Sequence, residues 1–195
     1  MKNLSYSLGM SMATQLMQTG LENIDVDAFV KSFTEVMNKE QPSMSLEDAT
    51  KHIQTYFAAM QNEIGEKNKQ AGEAFLSKNK EKEDVVVLPS GLQYEVIKEG
   101  NGATPSATDT VKCHYHGTLM DGTVFDSSVN RGEPAMFGVN QVIKGWVEAL
   151  QLMSVGSKWR LFVPSDLAYG EQGAGNDIEP NAALIFEVEL LGIEK

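Results

Sequence analysis

The hydrophobic period changes along the chain, and the changes divide it. Leu4, Leu8, Met12 and Leu16 recur every four residues with Ala13 and Met17 beside them, which predicts a helix with one apolar face. Gly20 follows and suits the left-handed residue that ends a helix. A second helix is predicted from Asp25, a good N-cap, with Val26, Phe29, Val30, Phe33 and Met37 on one side. Pro42 lies in the break after it. A third opens at Ser45 with Asp48 three residues on, a capping box with a shortened acid, and carries the stripe Ala49, Ile53, Phe57 and Met60. From Gln61 to Lys82 the apolar positions thin out while Glu, Lys, Gln and Ala keep their helical propensity; Gly65 and Gly72 each weaken it by about 1 kcal/mol relative to Ala. Such a stretch reads as a polar helix bridging two bodies through solvent, with a flexible charged linker as the alternative.

From Val85 the period drops to two. Pro89, Ser90 and Gly91 precede Leu92, Tyr94 and Val96 on one strand face. Val111, Cys113 and Tyr115 alternate with Lys112, His114 and His116, and Asp121–Gly122 is a hairpin turn signal before TVFDSS. Ile143, Trp146, Val147 and Leu150 then fit one face of a short helix within 142–153. Trp159, Leu161 and Val163 alternate with Lys158, Arg160 and Phe162, and a glycine-rich loop leads to the strand containing Leu184, Phe186, Val188 and Leu190. Antiparallel strands with one short helix on a sheet face make an α+β domain behind an all-helical N-terminal module.

Composition narrows the partners. With 42% hydrophobic and 22% charged residues over 195 positions the chain is ordinary globular protein. A net charge of −11 disfavours nucleic acid and anionic membrane, leaving proteins as the expected partners. The single cysteine excludes an intramolecular disulfide and suits a reducing compartment. The first twenty residues read as a helix of the fold rather than a signal peptide, and no window is apolar enough to span a bilayer. The expected location is therefore cytoplasmic, or periplasmic or outer-membrane-associated if a signal peptide was removed. The N-terminal helices carry more Met, Leu and Phe than they can bury alone, which predicts a homodimer through residues 1–60; packing onto the C-terminal domain of the same chain is the alternative.

The candidate chemistry centres on Phe125 to Trp146. This stretch places Phe125, Asp126 and Arg131 in a loop, then Val142 and Ile143 ahead of Trp146, without a nucleophile, metal cluster or phosphate-binding loop. These residues suit a small apolar pocket with a few fixed polar groups. Each also has a plainer reading: the aromatics as core, Asp126 as a turn cap, Arg131 as its ion-pair partner in a loop brace. His114 and His116 stand two apart on one strand face, but no third metal ligand is evident. GEQGAG at 170–175 lacks the strand and helix that a dinucleotide fingerprint needs. No cofactor is expected.

The strings YHGTLMDGTVFDSS, VIKGWVEAL, MSVGSKW, LAYG and ALIFEVELL, in this order, resemble an FKBP-type peptidyl-prolyl cis–trans isomerase domain from about Leu88 to Glu194. LSYSLG, the long polar helix and FLSKNK…VVLPSGLQY resemble the bacterial two-domain subgroup that includes the macrophage infectivity potentiator protein, and SSVNRGEPA and EALQLMSVGSKW its cytoplasmic relatives. The resemblance implies a curved antiparallel sheet around a short helix, and a division into a dimerisation domain (1–60), a linking helix (61–84) and an isomerase domain (85–195). It implies that Tyr115, Phe125, Asp126, Ile143, Trp146, Tyr169 and Phe186 form the catalytic pocket, with Arg131, Phe137, Val142 and Ile178 binding substrate. Trp146 would be the floor; the Ile143 N–H and the Tyr169 hydroxyl would grip substrate carbonyls. Clients would be proline-containing polypeptides, macrolide FKBP ligands would bind, and chaperone activity would accompany the dimer. A client-binding module with little turnover is the alternative. Ala135, Ala174 and Gln141 depart from an aromatic, a His and a Glu found in other members, changes at the rim that bear on substrate preference.

Overall fold

The computed structural model describes residues 1–21 and 23–194. The chain divides into two compact units, Met1–Thr55 and Tyr56–Lys195. The first holds α1 (Lys2–Gln18), α2 (Val26–Met37) and the start of α3 (Leu46–Asn79). Helix α1 stops at Gly20, whose φ of 83° lets its N–H reach the Met17 carbonyl at 3.0 Å. Asp25 caps α2 as the pattern requires, accepting from the Ala28 N–H at 3.0 Å. At the start of α3 the shortened acid changes the capping box: Ser45 accepts from the Asp48 N–H at 3.1 Å and its hydroxyl donates to the Asp48 carboxylate at 2.7 Å. No described residue of α1 or α2 is buried. Leu8 and Met12 of α1 and Phe29, Val30, Phe33 and Met37 of α2 instead line an apolar groove of about 560 Å³.

The second unit is a curved sheet. Its strands are β1 (Val85–Val87), β2 (Gln93–Lys98), β3 (Thr110–Leu119), β4 (Val124–Ser127), β5 (Ala135–Gly138), β6 (Lys158–Val163) and β7 (Leu184–Glu194). All described pairings are antiparallel, in the order β1-β2-β6-β7-β3-β4, with β5 pairing the first half of β3 and β4 its second half. Register shifts at Lys112/Cys113, Gly117/Thr118 and Val96/Lys98 bend the strands where they occur. A one-turn helix, α4 (Ser128–Arg131), follows β4, and α5 (Lys144–Leu150) packs against the sheet. Trp146, Ala149 and Leu150 of α5 join Val111, Cys113, Tyr115, Leu161, Val163 and Val188 of the sheet in one core. Gly145 lets α5 come this close, since a Cβ there would stand 2.7 Å from Val163 Cγ1.

Three positions run against the sequence pattern. Phe162, expected on the polar face with Lys158 and Arg160, is 4% exposed. The second half of α3 covers it: the Phe75 ring lies 6.0 Å from the Phe162 ring, with the Lys82 ammonium 5.8 Å from the ring centre. Gly65 and Gly72, expected only to weaken the helix, are buried. The polar stretch is therefore helical with one face packed. A buried hydrogen-bond pair completes that packing: Asn79 Nδ2 donates to Gln93 Oε1 and Gln93 Nε2 to the Leu76 carbonyl, both at 2.9 Å.

Candidate active site

Between α5 and the sheet lies a cavity of about 430 Å³. Its floor is Trp146, 4% exposed, met edge-on by three rings: Phe186 at 5.3 Å, Tyr115 at 5.5 Å and Phe137 at 5.7 Å, with interplanar angles between 80° and 84°. Phe125 packs edge-on to Phe186 at 5.5 Å. These edge-to-face contacts hold the rings in place beyond simple area burial. Gly117 on β3 makes room for two of them, because a Cβ there would lie 2.7 Å from Phe125 and 3.0 Å from Phe186. Val142, Ile143, Asp126, Tyr169 and Gln141 complete the lining.

The polar side of the cavity is a closed triad. The Tyr115 hydroxyl donates to one Asp126 oxygen, an Arg131 nitrogen donates to the other, and the second Arg131 nitrogen donates to the Tyr115 hydroxyl at 2.8 Å. Local sequence sets this up. Ser127 caps α4 by accepting from the Asn130 N–H at 3.1 Å, and Gly132 ends it at φ 76°, so Arg131 returns toward Asp126 across a single turn. Burial raises the Asp126 carboxyl, but the hydrogen bonds from Tyr115 and Arg131 and the guanidinium charge together hold it below the usual carboxylate range. Burial, and then the bond to Asp126, push the Tyr115 phenol up. Tyr169, 40% exposed at the rim, is also pushed up, by burial first and then by the Asp126 charge.

A glycine-rich flap (residues 168–183) joins β6 to β7 and carries Tyr169 at its start. Ala174 and Ile178 exchange backbone hydrogen bonds across it at 2.8 and 3.1 Å, and the Asn181 N–H closes its base on the Gly170 carbonyl at 2.8 Å.

Two family models cover most of the sequence. Residues 101–191 match FKBP-type peptidyl-prolyl cis-trans isomerase, and residues 1–96 match the domain amino terminal to FKBP-type peptidyl-prolyl isomerase. The chain belongs to the FKBP-type peptidyl-prolyl cis–trans isomerases. It is 45% identical over 199 residues to the Outer membrane protein MIP of Legionella longbeachae, covering 98% of this chain and 85% of that protein. It is 46% identical over 192 residues to the FKBP-type 22 kDa peptidyl-prolyl cis-trans isomerase of Escherichia coli, covering 97% and 93%. Its fold matches the crystal structure of FkpA from Escherichia coli with a TM-score of 0.82 at 31% identity, over 99% of this chain and 94% of that one. This is the two-domain bacterial form of the family, and its activity is isomerisation of peptidyl-prolyl bonds.

Most residues that the FKBP resemblance singles out come together at the cavity: Tyr115, Phe125, Asp126, Phe137, Val142, Ile143, Trp146, Tyr169 and Phe186 all line it. Two stand behind it. Arg131 braces Asp126 and lays its guanidinium 5.6 Å from the Tyr115 ring centre, and Ile178, itself a flap residue, is buried in the core. Gln141, read from the sequence only as a rim departure, is part of the lining. His114 and His116 each turn Nδ1 to a serine, Ser128 at 3.0 Å and Ser127 at 2.9 Å, at the start of α4. Among the described residues no group of three His, Cys, Asp or Glu is placed to hold a metal. Cys113 is buried, and burial pushes its thiol up to about 12, out of range of thiolate chemistry near neutrality.

Proposed function

We propose that this cavity is where the chain rotates X–Pro bonds, with Tyr115, Phe125, Asp126, Ile143, Trp146, Tyr169 and Phe186 as the catalytic residues. Arg131, Phe137, Val142 and Ile178 support the bound substrate. The observation that carries the reading is an apolar aromatic cage with a fixed polar triad on one side. Rotation about an amide meets a barrier of about 18–20 kcal/mol because resonance is lost in the twisted state. The planar amide is more charge-separated than the twisted one, so transfer from water into an apolar cage favours the twist. Aromatic walls hold the proline ring while the bond turns. The Ile143 N–H, at the N-cap of α5 and so outside the helical ladder, and the Tyr169 hydroxyl at the rim supply donors to substrate carbonyls. Each tenfold acceleration needs only about 1.4 kcal/mol of preferential transition-state binding, which such contacts provide without a covalent intermediate.

The clients are proline-containing polypeptides, and macrolide FKBP ligands compete for the same cavity. Residues 1–60 serve as a dimerisation domain, 61–84 as the linking helix and 85–195 as the isomerase domain. The apolar groove of α1 and α2, in helices without a buried residue, supports pairing with a second copy. Two catalytic domains in one dimer engage a folding client with avidity, which gives chaperone activity beyond single-bond turnover.

The test is an exchange assay on a short X–Pro peptide with three variants. Trp146→Leu should weaken peptide and macrolide binding by roughly tenfold or more, as expected when a buried aromatic contact is lost. Asp126→Ala and Tyr169→Phe should lower turnover. Unchanged exchange in all three would return these residues to plain packing.

A further inference from the structure

One contact of the isomerase domain plays no part in the pocket chemistry described so far: the hold of α3 on the stem of the flap. Asn68, on the packed face of α3, donates through its side-chain amide to Glu179 Oε2 and to the Pro180 carbonyl, both at 3.0 Å. Gly65, about one turn earlier, is bare where a Cβ would come within 3.1 Å of Asn181 Nδ2 and 3.3 Å of Pro180 Cβ. Gly72, about one turn later, passes Ala183 in the same way, at 3.1 Å. The two glycines bring the helix close enough for the short Asn68 side chain to reach.

What the stem holds is the flap itself. Asn181 sits at φ 55°, a left-handed conformation that side-chain-bearing residues seldom take. From there its N–H closes the loop on the Gly170 carbonyl, next to Tyr169. Ile178 lies one residue before Glu179 and is tied to Ala174. A hydrogen-bonded path thus runs from Asn68 through residues 179–181 to both ends of the flap. Glycines 170, 173 and 175 all sit at φ near 60° (57°, 61° and 58°), positions where glycine adds conformational freedom that an outside anchor would restrict.

We propose that Asn68, flanked by Gly65 and Gly72, is a positioning residue of the isomerase: it fixes the flap stem and so holds Tyr169 at the substrate, with Ile178 packed behind the cavity. The proposal rests on the reading that Tyr169 borders bound substrate. It gives α3 a part in substrate binding besides joining two units of the chain.

The test uses the full chain carrying N68A or N68D. With N68A the Glu179 and Pro180 acceptors lose their donor; N68D is nearly isosteric, leaves no cavity, and turns an acceptor toward a carboxylate and a carbonyl. KM for a short X–Pro peptide should rise about three- to tenfold in N68A and further in N68D, with kcat within about twofold, the scale of one net hydrogen bond. Hydrogen exchange at the Ala174, Ile178 and Asn181 amides should quicken by about tenfold or more while β3 and β7 stay protected. Unchanged KM and exchange would overturn the proposal, as would a protection loss spread evenly over the sheet, which marks general packing. Flap exchange that quickens at constant KM would also overturn it, and would place the fault with the substrate assignment rather than the anchor.

Discussion

Asp126 sits between two different donors, the Tyr115 phenol and the Arg131 guanidinium, and both favour its charged form. The sign of the pH dependence follows. A carboxyl held lower in the folded state than in the unfolded one contributes stability above about pH 4, and loses it as pH falls through the folded value. Tyr115 and Tyr169 are both shifted upward, away from neutrality. The charge state of the pocket is then constant across the middle of the scale. Turnover of a short peptide should be flat from about pH 5.5 to 8.5, given ordinary values near 4 for Asp and 10 for Tyr. Gly117→Ala forces Phe125 and Phe186 apart and should cost about 1–3 kcal/mol of stability, as overpacking does, with a raised KM; a denaturant midpoint and a Michaelis curve check both.

Among the elements, α3 departs most from its sequence. Its second half looks polar because an apolar stripe is short there, yet packing of one face needs few large residues when Gly65 and Gly72 admit close approach. Phe75 against Phe162 is an apolar contact of that face, and Asn79 Nδ2 and the Gln93 amide are hydrogen-bonded there while Asn79 Oδ1 is buried without a partner. Phe75→Ala should lower stability by about 2 kcal/mol, less than the loss for a fully buried ring, and expose Phe162; urea denaturation measures it. The helix α5 was legible from Ile143, Trp146 and Leu150 alone, because its apolar face is continuous. Its closeness to the sheet was not, since that depends on Gly145 meeting Val163 across a fold.

For the molecule as a whole, the open groove of α1 and α2 and the net charge of −11 bear on association. A charged residue in the groove should abolish pairing without touching the cavity. Phe33→Glu is expected to halve the mass seen by light scattering at micromolar concentration while peptide turnover per chain stays unchanged. Refolding of a proline-limited client should slow by roughly tenfold or more, because avidity between paired domains is lost. A wild-type chain that is already monomeric at that concentration would sink the dimer.

The sequence by itself determined what depends on near neighbours and on motif order. The caps at Asp25 and Ser45, the stop at Gly20, the alternating faces of β3 and β7 and the family of the isomerase domain all follow from residues a few positions apart or from ordered strings. Even the Asp126–Arg131 brace was open to reading, since one helical turn separates the two. Tertiary structure alone decided the contacts between residues far apart in the chain. It added Tyr115 to that brace, buried Phe162 under α3, and gave Gly65, Asn68 and Gly72 their neighbours at 179–183. The physical reason is that periodicity reports which face of an element is apolar. It does not report what covers that face, and a glycine carries no pattern until another backbone or side chain arrives where its Cβ would be.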